Sequence, residues 1–152
     1  MKQFCIIYAL TIILSNVTAQ ETVAVLEFER VGVSKDEAKA LSERFGTEFL
    51  NISSGRFILV ERQQISEILK EQGLQQSGCT TSECAVQAGM ALGAKFIIIG
   101  SITKVGSIYS VNARMLDVET SNIINSISHD QKGDIGTLLI KVSIIFLNSE
   151  GT

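Results

Sequence analysis

The hydrophobic period of this chain changes once, at Lys95, and that change restricts the folds open to it. Before it, short apolar runs alternate with stretches of helical period, the pattern of strands joined by helical crossovers. TVAVLEF, Thr22 to Phe28, reads as a buried first strand bounded by Glu29 and Arg30. Ser34 stands three residues before Glu37, a capping-box spacing, and Ala38, Leu41, Phe45, Phe49 and Ile52 follow at helical intervals until Gly55. FILV, Phe57 to Val60, is a second strand, so the opening is β-α-β with a crossover long enough for a parallel pair. Glu61 to Leu74 predicts a helix with Ile65, Ile68 and Leu69 on one stripe and Gly73 weakening its end. A polar loop then leads to a short third helix, with Glu83 in its first turn and the small residues Ala85, Ala88, Gly89 and Ala91 permitting close approach to a neighbour. Gly93 stops it.

Beyond Lys95 the period is two. KFIIIGSITKVG is a strand that starts fully buried and becomes half-exposed. In SIYSVNARMLDV the residues Tyr109, Val111, Ala113 and Met115 share one face, and NIINSISHD completes a three-stranded antiparallel meander. Turns fall at Gly106 and at Glu119 to Asn122. The last predicted helix, Asp134 to Asn148, carries two apolar stripes: Ile135, Leu138, Leu139, Val142 and Phe146 on one side, and Ile140, Ile144 and Leu147 nearly opposite. One stripe packs on the sheet. The other needs a cover, from this chain or from a second one. The order β-α-β-α-α-β-β-β-α specifies an α/β fold, an α+β sandwich on a mixed sheet with a C-terminal antiparallel meander.

The amino terminus reads as a secretory signal peptide: one lysine, an apolar run from Phe4 to Leu14, then Val17 and Ala19 at the −3 and −1 positions. The run is shorter than the about 20 residues a membrane span needs. Cleavage after Ala19 leaves a single domain over residues 20–152, periplasmic or otherwise exported, with no membrane span of its own. Cys5 lies inside the apolar run, away from the lipoprotein acceptor position, and leaves with the leader. Cys79 and Cys84 remain, in an oxidising compartment where disulfides persist. A local structural disulfide is the simplest reading of their spacing; a redox switch is the alternative, with no cation cluster nearby to depress a thiol pKa.

Recognisable catalytic chemistry is scarce. His129 is the only histidine, which leaves no two-histidine metal site, and its position near the end of a polar strand reads as surface. No cofactor-binding motif, nucleophile elbow or metalloprotease helix is present. Asp117 and Glu119 invite a glycosidase-style pairing, but the DVETSN turn explains them by local hydrogen bonding. Arg114 is placed to meet a cross-strand carboxylate. Asn51-Ile52-Ser53 matches a glycosylation sequon at a helix end. A formal charge of −3 removes the basic surface that nucleic acid requires.

Three stretches, VAVLEFER, ILVERQQISEILKEQGL and GCTTSECAVQAGMALGAKFIIIGSITKVGSIYSVNARMLDVET, resemble the curli-assembly CsgG-type family and its relatives, the amino-terminal domain of TolB and the lipoprotein activators of penicillin-binding proteins. The likeness runs from Val23 to Thr120. It implies an envelope domain that works by assembly or partner binding, without catalytic residues or a cofactor. Secretion-channel members add membrane hairpins of about 9–11 residues per strand, and no loop of this chain has room for one. The expected partners are therefore further copies of itself or another envelope protein, with Ile140, Ile144 and Leu147 as the contact. Activation of a cell-wall synthase and thiol-redox chemistry are the other readings.

Overall fold

The computed structural model describes residues 19–74 and 79–148. The segment read as a signal peptide, with Cys5, lies outside the described residues except for Ala19. The elements are β1 (Glu21–Val25), β2 (Glu29–Val31), α1 (Lys35–Ile52), β3 (Phe57–Leu59), α2 (Arg62–Glu71), α3 (Ser82–Ala91), β4 (Phe96–Val105), β5 (Ile108–Asp117), β6 (Ile123–Lys132) and α4 (Ile135–Asn148). They form one mixed sheet in the order β3-β1-β4-β5-β6. β3, β1 and β4 run parallel, and the meander β4-β5-β6 is antiparallel. The α+β order read from the sequence is the order observed, with one addition.

That addition is β2, which pairs in parallel with β4 at Glu29↔Ser101 and Val31↔Thr103, beyond the end of β1. The expected strand through Phe28 breaks because the Leu26 N–H still donates to the Ile98 carbonyl at 3.0 Å, whereas the Phe28 N–H turns away to Ser42 Oγ at 2.9 Å. The break drives the Phe28 ring into the core.

α1 begins as its sequence predicts. Ser34 Oγ accepts from the Glu37 N–H at 3.2 Å and Glu37 Oε2 accepts from the Ser34 N–H at 2.8 Å, satisfying two N-terminal donors reciprocally. Its buried face carries Ala38, Ser42, Phe45, Gly46 and Phe49. α2 is shorter than the expected Glu61 to Leu74, since Gly73 adopts φ +68° and Leu74 N–H closes back onto the Leu69 carbonyl at 2.8 Å.

Two cores sandwich the sheet. On one face α1 and α4 bury Phe28, Phe45, Phe49, Phe57, Phe96 and Phe146, every phenylalanine among the described residues, with ring centroids 5.2–6.4 Å apart. At roughly 1.5–3 kcal/mol per buried large side chain, this cluster is the main apolar anchor of both helices. On the other face α2 and α3 cover Ala24, Leu26, Ile97, Ile99, Leu116 and Val118. Gly89 of α3 lies so close to the sheet that a Cβ there would stand 2.4 Å from Val118 Cγ2. The small residues of α3 therefore permit the close approach their sequence suggested.

Candidate functional site

The two faces of the sheet are covered unequally. On the α1 and α4 face, the rows Ile98-Met115-Asn125, Gly100-Ala113-Ile127 and Ile102-Val111-His129 lie under helix. On the other face, α2 and α3 stop short of the far half of the meander. Among the described residues no helix covers three rows there: Glu29-Ser101-Asn112-Ser128, then Val31-Thr103-Ser110-Asp130, then Val105-Ile108-Lys132. A groove of about 430 Å³ opens on this face, lined by Glu29, Thr80, Ser101, Asn112, Arg114, Ser126 and Ser128 among others. Past the groove the same face of the sheet turns apolar, with Val31, Val105 and Ile108 at 54%, 70% and 50% exposure.

The groove floor is ordered by side-chain hydrogen bonds. Asn112 Nδ2 donates to Ser101 Oγ at 3.3 Å, and Ser110 Oγ donates to Asp130 Oδ1. Arg114 does not meet a cross-strand carboxylate, as its sequence position suggested, because its neighbour across β6 is Ser126. Its Nη2 donates instead to the Thr80 carbonyl. Thr80 lies inside the loop closed by Cys79 and Cys84, which are joined with Cα atoms 5.7 Å apart. Thr81 caps α3 by accepting from the Cys84 N–H at 3.2 Å, so the cross-link, the cap and the Arg114 contact fix one short segment at the groove rim.

The other residues singled out by sequence fall elsewhere. His129 is half-buried on the helix-covered face, opposite Val111. Asp117 Oδ1 accepts from the Thr120 N–H at 2.7 Å and from its hydroxyl at 3.0 Å, and the backbone bond in particular lowers the Asp117 pKa. Asp117 and Glu119 thus belong to the turn. Among the described residues no group of three His, Cys, Asp or Glu side chains is placed to hold a metal. On α4, Ile144 is exposed and Ile140 half-buried, but Leu147 packs partly against the phenylalanine core, and Ile145 takes the outer position beside Ile144. The seam between α1 and α2 holds a smaller cleft, of about 160 Å³. There, Arg62 lies 3.8 Å from Glu43, burial lowers its pKa, and its Nη1 has no hydrogen-bond partner among the described residues.

The family described as "Curli production assembly/transport component CsgG" matches residues 13–110, about two thirds of the chain. The chain belongs to the CsgG family. Three solved structures place this CsgG-family fold among known ones. The lipoprotein GNA1162 from Neisseria meningitidis is 14% identical with a TM-score of 0.62, over 85% of this chain and 95% of that one. The LpoB C-terminal domain from Salmonella enterica is 22% identical with a TM-score of 0.58, over 82% and 91%. The PelC dodecamer from Paraburkholderia phytofirmans is 10% identical with a TM-score of 0.51, over 83% and 85%. At these identities the likeness is one of fold. No curated protein matches the sequence. Among the described residues no helix of this CsgG-family chain is long and apolar enough to cross a membrane.

Proposed function

We propose that this CsgG-family chain is a non-catalytic protein of the cell envelope, exported with removal of residues 1–19, that acts by self-assembly or docking in secretion or surface-structure assembly. The family match over residues 13–110 carries this reading, since the family is described as an assembly and transport component. Self-assembly draws support from the fold likeness to PelC, whose structure is a dodecamer. It draws further support from α4, where Ile144 and Ile145 stand 41% and 44% exposed. Ile144 forms the centre of the proposed contact, with Ile145 beside it and Ile140 and Leu147 at its margins. The domain works without a pore of its own: β4 and β5 are joined by Gly106 and Ser107 alone, and β5 and β6 by the five residues 118–122. Neither connection holds a membrane hairpin.

Sedimentation of the exported form beside Ile144→Asp tests the reading. The wild type sediments as an oligomer and the variant as a smaller species; two identical monomers would remove self-assembly. The fold likeness to LpoB favours a second reading, a monomer that binds and activates a cell-wall synthase. A pull-down from envelope extract separates the two by returning either further copies of the chain or a synthase.

A further inference from the structure

The groove on the uncovered sheet face holds two opposite charges that the protein leaves unmatched. Arg114 spends one N–H on the Thr80 carbonyl, and neither Arg114 nor Glu29 has an ion-pair partner within 4.0 Å among the described residues. Ion pairs do form at other places on the chain, as in Lys95 with Glu21 and Arg62 with Glu43. Glu29 sits on β2 opposite Ser101, whereas Arg114 sits on β5, two residues along from Asn112, the partner of Ser101. With strands about 4.8 Å apart and residues about 3.4 Å apart along them, the two Cα atoms are ~12 Å from each other. No ion pair joins the two, and because side chains on one face stand roughly perpendicular to the sheet their charged ends stay about as far apart as the Cα atoms, the length of two or three extended residues at about 3.4 Å each.

We propose that this groove binds a short extended peptide with free ends, its carboxylate on Arg114 and its ammonium on Glu29. Ser101 and Asn112 between the charged ends, and Ser126 and Ser128 beside them on β6, present hydroxyl and amide groups to the ligand's peptide bonds. The guanidinium is held in place by the disulfide-closed loop, so its free N–H groups are pre-aimed at a carboxylate. The volume of about 430 Å³ falls within the range of small-ligand sites. A polyanion is disfavoured by Glu29 and Asp130 on the same face, and a sugar ring finds no aromatic side chain among the lining residues. The groove and the outer side of α4 lie on opposite sides of the sheet, so a peptide in the groove does not compete with a second copy on Ile144.

The test is an amide chemical-shift titration of the isotopically labelled protein with trialanine, run beside the same peptide acetylated and amidated at its ends. Free trialanine shifts the amides of Ser101, Asn112, Ser126 and Ser128, and the doubly blocked peptide does not. Arg114→Gln weakens binding of the free peptide about tenfold or more, one charge-assisted contact being lost. Because Arg114 also tethers Thr80, the exposed Glu29→Gln serves as the variant that leaves the fold untouched: it weakens the free peptide and leaves the N-acetylated peptide unchanged. Absence of shifts at these four amides up to ~10 mM, above the millimolar affinity expected of so small a ligand, overturns the proposal. Equal shifts with the blocked peptide overturn it as well. The oligomeric state is read separately by sedimentation, so failure here leaves the assembly reading standing.

Discussion

The backbone N–H of Phe28 donates to Ser42 Oγ at 2.9 Å, and the same hydroxyl donates to the Ala38 carbonyl at 2.7 Å, with both side chains fully buried. One hydroxyl thereby ties the break between β1 and β2 to the middle of α1. It satisfies a backbone donor that has left the sheet ladder. Ser42→Ala removes the acceptor and leaves that N–H buried and unpaired, which costs about 1–3 kcal/mol. Urea unfolding registers the loss as a lower midpoint at unchanged slope. Thr47→Ala, on the exposed side of the same helix, stays within about 0.5 kcal/mol; equal losses in the two variants would remove the special role of Ser42.

Ser42 also marks where legibility ended. Phe45 and Phe49, together with the Ser34 and Glu37 box, make α1 readable because each signal is local. Nothing local distinguishes Ser42 from an exposed serine. β2 escaped for a similar reason: Glu29, Arg30 and Val31 are all exposed and show no alternation, and they form a strand because β4 extends past the end of β1 and offers an unpaired edge. The groove is less legible still. Its residues lie on four strands and a loop, and only register brings Glu29, Ser101, Asn112 and Ser128 into one row. What the sequence did contain was the polar half of the period-two pattern in β5 and β6, which signals an uncovered face without saying what crosses it.

The contact of Gly89 with Val118 makes a second local test. An alanine at position 89 forces its Cβ into the Val118 side chain, and overpacking of this kind costs about 1–3 kcal/mol. Val118→Ala alone is also destabilising, through lost contact in the second core. In the double variant the smaller side chain admits the new methyl. Thermal unfolding should therefore give a combined loss smaller than the sum of the two single losses. Strict additivity would mean that α3 moves away from the sheet instead.

Acid sensitivity should come from helix and turn carboxylates. Asp134 opens α4 by accepting from the Gly136 N–H at 2.9 Å and from the Thr137 hydroxyl at 2.8 Å, and these bonds, led by the one to Gly136, lower its pKa. Glu37 and Asp117 are lowered in the same way, chiefly by backbone bonds involving Ser34 and Thr120. A carboxylate whose pKa is depressed by folding stabilises fully above its unfolded value, and the contribution disappears as pH falls through the folded value. The protein should hold its melting temperature from neutral pH down to about pH 4, the ordinary carboxylate range, and lose it below. Asp134→Asn should melt lower than wild type at pH 7, with the gap closing towards pH 2. A gap that is constant across that range would assign the effect to packing.

The cross-link between Cys79 and Cys84 should act on the groove as well as on stability. Closing so short a loop contributes roughly 2 kcal/mol on the chain-entropy account, and Cys79 adds its own burial in the second core. The loop also carries the Thr80 carbonyl that receives Arg114. Reduction, or replacement of both cysteines by alanine, should lower the melting temperature. It should also broaden the side-chain Nε–H signal of Arg114, since the acceptor is no longer fixed. Arg62, in the other cleft and held there by its pairing with Glu43, serves as the internal control and should keep its signal. Loss of stability with the Arg114 signal unchanged would show that the α3 cap at Thr81 alone holds the segment, and that the disulfide has no part in positioning the guanidinium.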